Sequence, residues 1–192
     1  MNNLFRLLLS LLLLGGVLSA TQKAVHDSAK QTKPADPCKL LTSADIQVVQ
    51  GDAVQETKPS TQPAGGLVMW QCLFRTANPS KSVSVAIASA GSSSPRAYWQ
   101  KQFGSSKTAS DEITEKKAAG HKEEKEEDEE STRPRTIKGV GEQAYWIGSP
   151  LVGALYVLKR DTFLRISVGG VREESARIEK SIALARVALK RL

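Results

Sequence analysis

The sequence predicts an α+β domain in which an antiparallel sheet, built from two strand meanders, is packed on one face by helices. Three observations carry this expectation. Between 67 and 88, and again between 144 and 168, short apolar or alternating runs are separated by turn residues and read as strands. Each set is followed by an amphipathic segment with helical spacing. The connections between runs are short, which favours antiparallel pairing over the long crossovers that parallel strands need. The two halves share one plan, as an internal structural duplication would, although no residue-level repeat accompanies it.

The first twenty residues read as a secretory signal. Arg6 supplies the positive end, Leu7 to Val17 is apolar apart from Ser10 and Gly15-Gly16, and Leu18-Ser19-Ala20 offers small residues for cleavage after Ala20. The run falls short of the roughly twenty apolar residues a bilayer span needs, so removal is expected, with a retained anchor as the alternative. The chain is therefore expected to be exported, periplasmic or secreted, with no stable transmembrane segment after cleavage. No cysteine follows the apolar run, so the acceptor for bacterial lipidation is missing there.

Residues 21–35 are polar and read as a flexible linker. A single domain is expected over 36–192. Thr42-Ser43-Ala44-Asp45 offers a helix N-cap, Leu40, Leu41, Ile46, Val48 and Val49 an apolar side, and Gly51 a stop. Val54 to Thr57 reads as a short strand and Lys58 to Gly66 as a loop. Leu67 to Thr76 reads as a buried strand. It should pair as a hairpin with the alternation at Val83, Val85 and Ile87 across the Asn78-Pro79-Ser80 turn. Ser94-Pro95 starts a helix whose Tyr98, Trp99, Gln102 and Phe103 face the sheet.

Residues 105–135 break these patterns, with ten acidic and seven basic side chains and a single branched aliphatic, Ile113. Too little apolar surface is present to offset ordering entropy, and a charged, disordered insert is expected. Strands resume at Ala144 to Ile147, Ala154 to Lys159 and Phe163 to Val168. A long final helix from Glu173 to Leu192 carries Ile178, Ile182, Ala185, Leu189 and Leu192 on one face.

Cys38 and Cys72 are the two cysteines. In an oxidising compartment two thiols pair more readily than they stay free; two buried unpaired side chains are the alternative, and a metal site is less favoured because no C-x-x-C or nearby histidine accompanies them. The formal charge is +7, and without Arg6 and the insert the remaining chain is +9. Such a body attracts anionic partners, but its cations are scattered and not interleaved with aromatics as a nucleic-acid platform requires.

Asp36-Pro37-Cys38-Lys39-Leu40-Leu41-Thr42, a second cysteine in a strand, and Gly139-Val140-Gly141-Glu142-Gln143-Ala144 together resemble a class of exported bacterial envelope domains with a D-P-C-x-L-L-T start. The resemblance implies a small antiparallel sheet with flanking helices, similar in plan to the PsbP-like fold, and a Cys38–Cys72 bridge. It implies no catalytic residues.

The residue inventory argues against most enzyme classes. The two histidines, His26 and His121, fall in the linker and the insert, so a Ser-His-Asp or Cys-His triad is not expected. The glycines fit no phosphate-binding pattern. No cofactor or metal is expected. What remains is a non-enzymatic binding or structural protein of the envelope, engaging an unknown envelope protein or an anionic surface and no specific nucleic acid. A hydrolase using a carboxylate pair and a purely electrostatic binder are the alternatives. Tyr145 and Trp146 are adjacent in a strand, so one should look outward; beside Arg75, Arg160 or Arg165 it would form a ligand patch.

Overall fold

The computed structural model describes residues 34–104, 133–149 and 151–192. The expected leader, most of the linker and the insert as far as 132 lie outside the described residues. Seven strands form one antiparallel sheet in the order β1-β2-β3-β7-β6-β5-β4. They are β1 (Val54–Ala64), β2 (Leu67–Thr76), β3 (Val83–Ala90), β4 (Arg135–Thr136), β5 (Gln143–Gly148), β6 (Gly153–Lys159) and β7 (Thr162–Val168). Among the described residues three α-helices accompany them: α1 (Ser43–Gln50), α2 (Pro95–Phe103) and α3 (Glu174–Lys190). The α+β class and the two meanders are as the sequence predicts, and β3 pairs with β7 to join the halves at the centre of the sheet.

Four expectations are corrected. The loop expected at 58–66 is the body of β1, which pairs with β2 from end to end across Gly65-Gly66. Both glycines have positive φ, 59° and 83°, the geometry of a tight type I′ hairpin turn. β1 is exposed along nearly its whole length, so an edge strand with Lys58, Pro59 and Pro63 carries no apolar alternation to read. The insert is also shorter than expected at its end, because Arg135 and Thr136 pair with Trp146 and Tyr145 of β5.

Third, helices cover both faces of the sheet instead of one. Val83, Val85, Ile87, Leu155, Val157, Leu164 and Ile166 form a core with Leu184, Ala185, Ala188 and Leu189 of α3, joined by Ile46 of α1. The neighbouring positions Ala86, Ala88, Leu158 and Phe163 point the other way, into a core with Trp99 and Phe103 of α2. The two halves thus share an element order, but their helices go to opposite faces. Fourth, α3 is rotated from its expected face: Arg177, Ser181, Leu184, Ala185, Ala188 and Leu189 are buried, while Ile178 and Ile182 flank the stripe.

Caps hold the helix starts where the sequence places them. Thr42 accepts from the Asp45 N–H and Asp45 from the Thr42 N–H, a reciprocal capping box, and Gly51 at φ 69° ends α1. Ser94 accepts from the Ala97 N–H with Pro95 in the first turn of α2. Cys38 and Cys72 are bonded, with Cα atoms 5.1 Å apart, tying the turn before α1 to the centre of β2.

Asp45 also accepts from Arg191 at 2.7 Å, clasping the far end of α3 onto α1. That guanidinium, together with the Thr42 bonds, holds the Asp45 carboxyl at about 2, below its ordinary 3.8, against the opposing effect of burial. A carboxyl whose folded pKa is depressed contributes stability above its unfolded pKa, and this is lost as pH falls through the folded value. Asp45→Asn is expected to cost about 1–2 kcal/mol at neutral pH. In acid unfolding curves, the gap between variant and wild type should close between about pH 4 and pH 2.

Candidate functional site

The face carrying α2 is half covered. α2 lies over the β5–β7 side of the sheet, where Trp99 and Phe103 pack on Tyr145 and Phe163. Trp99 donates to Gln143 Oε1 at 2.8 Å, which fixes the helix against β5. The first turn of α2 is pinned by Arg96, which donates to Glu142 Oε2 at 2.8 Å and to the Arg160 carbonyl. Glu142 also accepts from the Arg160 N–H, and these bonds, the Arg96 one foremost, lower its pKa. Glu142 is therefore a structural hub between α2 and the β6–β7 turn, held ionised by its partners.

Beyond α2, one row of side chains crosses the open part of this face. Gln71, Ala86, Arg165, Tyr156 and Tyr145 stand opposite one another on successive strands. The next row holds Leu73, Ser84 and Ser167. Gln71, Leu73, Ser84, Ser167, Arg165 and Tyr156 are all half-buried, whereas Ala86 is buried and small, leaving a shallow floor between Gln71 and Arg165. Arg165 donates from Nε to the Tyr156 hydroxyl at 3.3 Å, and its guanidinium carbon lies 5.8 Å from the centre of that ring. The Tyr156 ring stacks on Phe163 with centroids 5.7 Å apart and meets Phe103 at 5.8 Å. Arg165 thus caps the open end of an aromatic cluster that runs back under α2.

Of the described arginines Arg165 is the one that is half-buried; Arg177 is buried and the others are exposed. Arg75, Arg96, Arg135 and Arg191 each pair with a carboxylate, namely Glu56, Glu142, Glu174 and Asp45. Among the described residues no carboxylate lies within ion-pair distance of Arg165, although its side chain is half-buried. Compared with family models, curated proteins and solved structures, the chain matches none. Its chemistry is accordingly read from the site alone.

The structure redistributes the residues that the sequence singled out. Tyr145 and Trp146 do point to opposite faces, but neither looks outward: they are 3% and 1% exposed, because β5 is covered by helices on both sides. Trp146 donates to Glu174 Oε1 at 2.6 Å, and its ring lies over Gly148 and Gly153, where any Cβ would overlap it. Both side chains are core. Arg160 is exposed in the β6–β7 turn at φ 58°, and its main chain is what α2 and Glu142 use. Arg75 is exposed near the β1 edge and held by Glu56. Of these three arginines only Arg165 stands beside a partly exposed aromatic, and that aromatic is Tyr156, which the sequence offers as one of nine candidate aromatics without singling it out. Its signal was an arginine inside the apolar run Phe163-Leu-Arg-Ile166, cross-strand from a tyrosine inside Ala154-Leu-Tyr-Val-Leu158.

A second hollow, of about 480 Å³, lies along Thr136 to Tyr145 at the other edge of the sheet. Gly139 and Gly141 shape it through positive φ, and a Cβ on Gly141 would overlap Val157 and the Leu158 carbonyl. The Gly-Val-Gly motif is therefore a close-packed turn. Of the charged groups there, Glu142 is already engaged by Arg96.

Proposed function

We propose that the chain is an exported, non-enzymatic binding domain of the bacterial envelope whose half-open face receives an acidic group of its partner on Arg165. One observation carries this reading: a half-buried guanidinium, hydrogen-bonded to the Tyr156 hydroxyl, that has no carboxylate partner among the described residues. Partial burial of a charge is costly unless an opposite charge compensates it, and a guanidinium is suited to hold a carboxylate or phosphate through two parallel hydrogen bonds. Gln71 flanks the small Ala86 floor with a further polar group, and Leu73 offers an apolar contact. The disulfide fits an oxidising compartment, as export requires. No helix among the described residues is long and apolar enough to cross a membrane.

Capture from envelope extract at low and at high salt tests this reading. A partner held by Arg165 should stay on the wild-type protein at high salt, because a partly buried pair is screened far less than surface charge. Its affinity should fall at least about tenfold for Arg165→Gln, since truncating one member of a buried charge pair costs several kcal/mol. Arg75→Gln, which changes an exposed and already paired arginine, should bind as wild type does. Capture that vanishes with salt for every protein would leave only diffuse charge attraction and refute the proposal.

A further inference from the structure

On the half-open face, β3 forms a low floor between two taller walls. Its side chains there are Ser84, Ala86 and Ala88, all small, and the Ser84 hydroxyl is buried. β2 places Leu73 opposite Ser84 and Gln71 opposite Ala86, and β7 places Arg165 opposite Ala86 from the other side. The result is a trough one strand wide. It is blind at one end, because Ala88 and its cross-strand neighbours Met69 and Phe163 are buried in the core with Trp99 and Phe103 of α2. At the other end it opens past the half-buried Ser84.

The walls of the trough hold hydrogen-bonding groups that the protein does not use. Arg165 gives its Nε–H to the Tyr156 hydroxyl at 3.3 Å, which braces the guanidinium and leaves its Nη1–Nη2 edge open. Gln71 is half-buried, and its side-chain amide has no hydrogen-bond partner among the described residues. The other described glutamines that are not exposed, Gln50 and Gln143, are both engaged: Gln50 donates to the Lys81 and Gly169 carbonyls, and Gln143 accepts from Trp99. Gln71 and Arg165 are two strand spacings apart, about 10 Å between Cα atoms, and Leu73 stands about 7 Å along β2 from Gln71. The three side chains therefore mark a triangle, not a line.

We propose that the acidic group received by Arg165 is the α-carboxylate of a chain end whose last residue is apolar. The assignment rests on the reading of Arg165 given above and names what it holds. The carboxylate takes the Nη1–Nη2 edge through two parallel hydrogen bonds. The amide of the same residue meets Gln71, whose side chain both donates and accepts and so matches a peptide group. The side chain of that residue turns onto Leu73. The blind end favours a terminus over an acidic side chain within a longer segment, because a chain lying along the trough must stop where α2 covers Ala88. Three contacts at the corners of a triangle also select the hand of the Cα, since the mirror image cannot present all three groups at once.

The test titrates the oxidised protein with N-acetyl-L-leucine, N-acetyl-D-leucine, hexanoate and N-acetyl-L-leucinamide, following the Arg165 Nε–H and Gln71 side-chain resonances. One N-acetyl-leucine enantiomer should bind at least about threefold tighter than hexanoate, the margin of one added hydrogen bond, because hexanoate reaches Leu73 but offers Gln71 nothing. The other enantiomer should fall back to the hexanoate level, and the uncharged leucinamide should not saturate. Gln71→Ala should abolish the margin and leave hexanoate binding unchanged, which also reports that the variant is folded. Saturable hexanoate binding at Arg165 with neither enantiomer tighter, or with the margin intact in Gln71→Ala, would overturn the chain-end assignment and leave the Arg165 reading in place. No saturable shift at Arg165 with any of the three carboxylates would overturn both.

Discussion

Replacing Cys38 and Cys72 together with alanine is expected to destabilise the domain by about 3–4 kcal/mol, among the largest effects of any small change to this chain. The bridge spans a separation of 34 residues, which encloses α1, β1 and half of β2. In the chain-entropy description, opening a loop of this length frees the unfolded ensemble by roughly 4 kcal/mol. The local setting adds to the loss, because the 3-10 turn at Pro37–Lys39 and the eight-residue α1 are too short to persist without an anchor. Alanine is the appropriate replacement, since Cys72 is fully buried and a serine there would add an unsatisfied hydroxyl. Urea unfolding of oxidised wild type, reduced wild type and the double variant should place the last two together, well below the first. A variant within about 1 kcal/mol of the oxidised protein would mean that α1 and β1 hold to the sheet without the covalent tie.

Trp99→Ala should cost about 3–5 kcal/mol, the range for removing a large buried aromatic. Trp99 is fully buried, meets the rings of Phe103, Tyr145 and Phe163, and bonds Gln143. It is the main anchor of a nine-residue helix that would not persist alone. Its loss should therefore loosen α2 as a unit and weaken the near-ultraviolet circular dichroism of the aromatic cluster. Trp99→Phe should recover most of the stability, because ring contacts survive and only the indole bond and part of the volume are lost. A cost below about 1 kcal/mol for the alanine variant would show that α2 contributes little to this core.

Much of the fold was legible in the sequence, and the reasons for the misses are physical. Helix starts at Thr42 and Ser94 are written in side chains that cap the backbone, so they can be read locally. The central strands declare themselves through branched and aromatic residues. β1 does not, because an edge strand exposed on both sides has no apolar pattern; only Gly65-Gly66 marked it as half of a hairpin. The covering of both faces was written in Ala144-Tyr-Trp-Ile147, a continuous apolar run of the kind found in strands buried on two sides. Taken as alternating, it wrongly sent Tyr145 or Trp146 outward. Arg165 was identified, but its aromatic neighbour depends on cross-strand register, which no local pattern encodes.

The central claim, that the half-open face holds an acidic group on Arg165, is tested most directly by observing that side chain. In ¹⁵N-labelled protein the Arg165 Nε–H resonance can be followed during titration with hexanoate, and with hexanol as the uncharged control. A saturable shift with hexanoate is expected, accompanied by shifts of Tyr156 and of the Leu73 methyls, absent with hexanol and absent in Arg165→Gln. Small linear shifts spread over all exposed arginines, with Arg165 no different from Arg75 or Arg160, would contradict it.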